Sequence, residues 1–133
     1  MANLPKTVVV QSARQFAFLQ RLSMAHERCI RTFADLEEIL ICKEPIVHGW
    51  TIKDIIGHVI TWNRQFRYAI QGILGQEKAQ HSPLLQNGMD FDEWNEARIA
   101  EKRNWTWKRI RADLDQDYSE AVELILQGAF HLS

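Results

Sequence analysis

The sequence predicts an all-α fold, and three observations predict it. Apolar residues recur at steps of three and four over long stretches, the period of a helix with one buried face. The strand signal is confined to one β-branched run, Val8-Val9-Val10. The breaks between the periodic stretches fall at proline, glycine and asparagine, the residues that punctuate helices.

The first stretch runs from about Ser12 to Cys42, after an N-terminal arm over 1–11. Its apolar stripe is Leu19, Leu22, His26, Cys29, Ile30, Phe33, Leu36 and Leu40, which predicts one long amphipathic helix. Arg14, Arg21 and Arg28 repeat off that stripe and read as a solvated face. Glu44-Pro45 ends the helix, because proline restricts the residue before it and donates no backbone hydrogen bond.

A second helix is predicted from Thr51 to Leu74, with Thr51 as its cap and Asp54 in its first turn. Its stripe is Ile52, Ile55, Ile56, Val59, Trp62, Phe66, Ile70 and Ile73, and Gly75 closes it. Residues 76–90 carry His81-Ser82-Pro83 and Asn87-Gly88, a connection long enough to cross the end or side of a bundle. A short helix is expected from Phe91 or Asp92 to Arg103, with Trp94, Ala97 and Ile99 on it. Asn104 or Thr106 then caps a last helix over Trp107 to Gln127, whose apolar face is Trp107, Ile110, Leu114, Tyr118, Ala121, Val122 and Ile125. Gly128 closes it and leaves a tail over 129–133.

The chain of 133 residues is read as a single domain, 1–133, large enough for one hydrophobic core. Sixteen Lys and Arg against seventeen Asp and Glu leave a formal charge of −1, no electrostatic footprint for nucleic acid or an anionic membrane. No apolar run approaches the roughly 20 residues of a membrane helix, and no signal peptide is seen. Cys29 and Cys42 are too few for a disulfide framework, and on one helix they stand too far apart to bridge. A cytoplasmic location is expected.

The motifs for thiol pairs, zinc proteases, phosphate loops and serine nucleophiles are missing. Five histidines, five tryptophans and an acidic cluster remain to be weighed. His58 lies at the edge of the second helix's stripe, one turn before Trp62, where it suits a metal or a proton as well as a half-buried structural place. His26 sits inside the first stripe and reads as a core histidine. A hairpin about Pro45 would separate His26 from His58 by roughly 13 Å along the axis, too far to share a metal. His48, His81 and His131 fall before a helix, in the long connection and in the tail. Asp90, Asp92, Glu93 and Glu96 complement the dipole of a helix start and do not match a calcium loop. Trp94, Trp105 and Trp107 read first as core aromatics and second as the lining of a ligand site.

The stretch Gly49-Trp50-Thr51-Ile52-Lys53-Asp54-Ile55-Ile56-Gly57-His58-Val59-Ile60-Thr61-Trp62 resembles the second-helix signature of the DinB-like superfamily, Trp-[Ser/Thr]-x-[Lys/Arg]-Asp-x-x-x-His. Phe91-Asp92-Glu93-Trp94-Asn95-Glu96-Ala97 and the helix after it look like that superfamily's DfsB/ClbS-like branch. The resemblance implies an antiparallel four-helix bundle with a long crossover after helix 2, often dimeric. It also implies a divalent metal such as Zn or Ni held by three histidines, of which the helix 2 ligand falls on His58. Family activities include thiol-cofactor transfer, maleylpyruvate isomerisation and protection against a genotoxin. The paired histidines of the family's final helix have no counterpart before Ser133, where His131 stands singly, so that helix is expected to be missing.

Two functions follow as expectations. The first is a homodimeric binding or protective module with an incomplete metal site, in which Trp50, Trp62, Trp94 and Asn95 line a cleft beside His58 for a small-molecule ligand. The second is a divalent-metal-dependent thiol transferase or hydrolase with His58 as one ligand, the others coming from His131 or a second chain.

Overall fold

The computed structural model describes residues 13–73 and 88–127, and these are all-α. The expected arm, Gly75, His81, Gly128, His131 and the tail lie outside the described residues, as does the connection up to residue 87. The described helices are α1 (Ala13–Phe33), α2 (Glu38–Lys43), α3 (Ile52–Ile73), α4 (Phe91–Lys102) and α5 (Trp107–Leu126). No helix among the described residues is long and apolar enough to cross a membrane.

The long first helix of the sequence reading is two helices. α1 stops at Phe33, and a turn in which the Leu36 N–H reaches the Phe33 carbonyl at 3.1 Å separates it from α2. Thr32, Phe33 and Asp35 are all poor helix formers. The Thr32 hydroxyl also donates back to the Arg28 carbonyl at 2.9 Å, an arrangement that bends a helix end. Cys29 and Cys42 therefore lie on different helices, and neither is in a disulfide.

The chain divides into two compact units, one drawn from Met1–Leu36 and Tyr118–Ser133, the other Glu37–Asp117. In the first, Leu19, Val122 and Ile125 form a buried cluster, with Leu22, Tyr118 and Leu126 packed against it. Gln15 and Ser23 are buried on the same face of α1, one turn either side of Leu19. Gln15 Nε2 donates to the Ile125 carbonyl at 2.9 Å. That carbonyl is in the last turn of α5, among the helix-end carbonyls that take partners from outside the helix. Arg14, Arg21 and Arg28 are exposed, as expected of a solvated row.

In the second unit α3 packs beside α2 and α4. Both sides of its start are fixed by a capping box: the Asp54 N–H donates to Thr51 Oγ1 and the Thr51 N–H to Asp54 Oδ2, each at 3.1 Å. α4 and α5 are each capped by a single side chain, Asp90 on the Glu93 N–H and Thr106 on the Arg109 N–H. Of the two caps expected for the last helix, Thr106 is the one used.

Two apolar stripes differ from expectation. Leu36 and Leu40 are exposed, because the chain has left α1 before either of them. On α3, Val59 and Phe66 are exposed, while Ile56, Gly57, Ile60 and Thr61 are buried. The buried face is thus centred on Ile60, about 100° around the helix from Val59. Small residues decide this. A Cβ on Gly57 would stand 3.3 Å from Lys102 Cδ and 3.7 Å from Ile110 Cδ1, so glycine is what lets α4 and α5 approach here.

Candidate functional site

A tight turn builds the entrance to α3. His48 and Gly49 both have positive φ, 53° and 76°, and the Trp50 N–H closes back on the Val47 carbonyl at 2.7 Å. Two consecutive left-handed residues are what a type I′ turn requires; glycine takes the second readily, whereas His48 is strained there. The turn is held from outside by the Ile46 N–H on the Trp50 carbonyl at 2.8 Å. It presents the Trp50 indole to His58, ring centres 5.1 Å apart, with His48 edge-on to the same indole at 6.1 Å. Trp50 Nε1 donates across to Glu96 on α4 at 3.2 Å.

One turn beyond His58, the Trp62 indole is surrounded by aromatic rings. Trp94 lies 5.1 Å from it, Phe91 5.7 Å and Phe66 6.1 Å, all tilted. Trp62 Nε1 donates to Asn95 Oδ1 at 2.6 Å, so the half-buried indole has a partner for its one polar atom. Arg98 stands over the Trp94 face at 5.3 Å. Trp50 and His58 are thus in ring contact, and one turn along α3 Trp62 meets Trp94 and Asn95 of α4. Phe66 and Phe91, 54% and 42% exposed, carry the aromatic surface outward.

His58 is half-buried, and its pKa is lowered from the ordinary 6.5, first by burial and then by the nearby Lys102 cation. Both effects favour the neutral imidazole that a metal or a proton needs. A three-ligand metal site needs more than one such donor. Among the described residues no group of three His, Cys, Asp or Glu side chains gathers to hold a metal ion. The donor set described around His58 does not fit the metal centre that the resemblance implies.

The other candidates have local roles. His26 stacks flat on Tyr118, centres 4.2 Å apart and planes 9° from parallel, in the first unit's core. Asp90 caps α4, and Glu96 serves Trp50. Trp105 lies in the turn after α4, with the Arg109 guanidinium 3.4 Å above its ring and Lys102 at 5.4 Å.

Several residues of the second unit escape sequence reasoning. Lys53 Nζ donates to the carbonyls of Arg103 and Trp105, both at 2.8 Å, tying the α4–α5 turn to α3. Asp117 is buried on α5, with Arg67 2.6 Å from Oδ1 and Asn63 Nδ2 donating to Oδ2 at 3.1 Å. Arg64 pairs with Asp113 at 3.4 Å. A hydrophobic period gives no sign of polar groups buried in pairs. The only sequence hint is that Asn63, Arg64 and Arg67 share a helical face, as Asp113 and Asp117 do.

Set against family models, curated proteins and solved structures, the chain matches none.

Proposed function

We propose that this chain is a DinB-like helical-bundle protein that acts as a homodimeric binding or protective module, its aromatic α3–α4 face taking a small apolar or aromatic molecule. One observation carries the reading. Trp62 is held by Asn95 with its ring among Phe66, Phe91 and Trp94, two of which are largely exposed. Exposed rings arranged around a fixed indole offer apolar area at low entropic cost, and the nearby polar groups of Asn95, Glu96 and His58 give orientation. The two segments that carry the DinB-like resemblance, 49–62 and 91–97, supply most of this face.

The homodimer is supported by the first unit, whose described part is α1 and the end of α5 alone. Phe16 and Met24, on one side of α1, are exposed, as a second copy would use. The metal site is read as incomplete, with His58 as its one family position.

Binding is tested with Nile red as the probe, followed by its emission and by tryptophan quenching in wild type and in a Trp62→Leu variant. Saturable binding that the variant loses is expected; equal binding by both proteins overturns the aromatic site. Sedimentation over a wide concentration range tests the dimer, and a monomer throughout removes it. Stoichiometric zinc or nickel, lost in His58→Ala, would overturn the incomplete site and favour a metal-dependent transferase or hydrolase.

A further inference from the structure

We infer, resting on the homodimer reading, that α1 of one copy docks on α2 of the other, with Arg21, Met24 and Arg28 laid on Glu37, Leu40 and Glu44.

The outer face of α1 is of one sign. Four arginines against one glutamate leave that helix a charge of +3, on a chain whose total is −1. The glutamate, Glu27, is taken by Arg31 at 3.4 Å. Arg14, Arg21 and Arg28 are exposed, and no ion pair joins them to another described residue. Each lies seven residues from the next, about 10.5 Å along the axis, and a heptad drifts only about 20° around a helix. Met24, 46% exposed, stands between Arg21 and Arg28 on the same side.

α2 carries the opposite sign at the same spacing. Asp35, Glu37, Glu38 and Glu44 against Lys43 leave residues 35–44 a charge of −3. Glu37 and Glu44 are the N-cap and C-cap of α2, again seven residues apart, and both are exposed. The Glu37 side chain makes no hydrogen bond to the helix it begins, so its carboxylate is not spent on capping. Leu40, 44% exposed, stands between the two glutamates.

Sign, apolar position and spacing thus correspond: a charged residue, an apolar one three on, and a charged one four further. Laid together, opposite charges meet at both ends and Met24 meets Leu40 between them. Whichever way the helices run, the two apolar residues match to within one residue's rise, about 1.5 Å. Exposed ion pairs hold little by themselves, so apolar contact, with Phe16 and Ile39 exposed on the flanks, supplies the association and the charges set its register. An anionic membrane or a nucleic acid would match the arginines alone. A second copy matches the whole face, because the complement is written on the same chain. In a two-fold dimer the contact is made twice, each copy giving one basic and one acidic face.

The test is a charge exchange, read by sedimentation velocity on the full chain in about 0.1 M salt, where charges still act over roughly 10 Å. Arg21→Glu with Arg28→Glu makes both faces acidic, and Glu37→Arg with Glu44→Arg makes both basic. Each double variant alone should lose the dimer, its dissociation constant rising about tenfold or more as like charges meet. Mixed in equal amounts, the two should pair again, since every basic face then meets an acidic one; that recovery also shows that both variants fold. A wild-type monomer at every concentration would end the homodimer reading itself. A wild-type dimer that both double variants keep, or one that the mixture fails to restore, overturns this interface and leaves the dimer to other surfaces.

Discussion

Among the described residues, the contacts seen in the two compact units differ in kind. In Glu37–Asp117, side chains reach from one helix to polar groups on the next: Lys53 to the turn after α4, Lys102 to Gly57 and Thr61, Trp62 to Asn95, and Arg67 and Asn63 to Asp117. In the other unit a small apolar cluster around Leu19 holds α1 to the end of α5, with Gln15 on the Ile125 carbonyl as a polar fastening. Directional bonds fix which residues face one another, whereas apolar contact rewards area with little regard to direction. The unit with the directional bonds is also the one that carries the aromatic face. A binding surface needs side chains held to within fractions of an ångström, and a network of short bonds supplies that.

The largest effect that would sharpen this contrast is at Asp117. Asp117→Ala leaves the Arg67 guanidinium and the Asn63 amide facing a buried gap, since both partners of the pair are nearly enclosed. Breaking such a pair costs about 3–5 kcal/mol. A fall of that size in unfolding free energy, from denaturant midpoints at unchanged slope, is expected. A loss below about 1 kcal/mol would place Asp117 with ordinary surface ion pairs and undo the contrast. Replacing Arg67 and Asp117 together by Met and Leu should recover much of the loss, because no buried charge is then stranded.

Leu19 is the matching probe of the apolar unit. It is fully buried, and Leu19→Ala should cost about 2–4 kcal/mol through lost burial and the cavity left behind. Amide exchange gives the sharper reading. α1, joined to α5 among the described residues by the small Leu19 cluster, should exchange faster than α3 in the wild type, and Leu19→Ala should widen that gap. Slower exchange in α1 than in α3 would break the comparison.

These probes also mark what the sequence could disclose. The helix starts were legible because capping chemistry is local: Thr51 with Asp54, and Thr106, act within four residues. The aromatic contacts of Trp62 with Phe66 and Trp94 were only half legible: Phe66 lies one turn further along the same helix, whereas Trp94 comes from a helix 32 residues on. The break after Phe33 was not legible, since the apolar period runs on through Leu36 and Leu40 although the backbone stops. Nor was the buried face of α3. An apolar stripe weighs Val59 and Phe66 above Gly57 and Thr61, yet the small residues permit the closest approach and so decide the packing. Lys102 and Asp117 were invisible for a related reason. Their burial depends on partners 41 and 50 or more residues away, which no local pattern encodes.

A smaller effect tests whether direction or area holds the aromatic face. Trp62→Phe keeps most of the ring area and removes Nε1, stranding half-buried Asn95 Oδ1. A loss of about 1 kcal/mol is expected, the worth of one hydrogen bond in a protein. The Phe variant should also bind Nile red less tightly if Asn95 sets the angle of the ring. Unchanged stability and unchanged binding together would show that area alone suffices there.

The smallest effect is read in pH. The folded-state pKa of His58 is lowered relative to the unfolded chain, so the unfolded state takes up a proton more readily. The stability tied to neutral His58 is therefore present in full above the ordinary histidine value of 6.5 and lost as pH falls through the lower folded value. Thermal midpoints taken from pH 7.5 downward should fall more for wild type than for His58→Gln, with the difference opening below about pH 6.5. Neutralising Lys102 as Lys102→Met should shrink that difference without abolishing it, because burial is the larger cause and the Lys102 charge the smaller. If Lys102→Met abolished the difference outright, the order of the two causes would be reversed. The His58 environment would then be set by charge across the α3–α4 seam, in the manner of the polar network and not of the packed rings beside it.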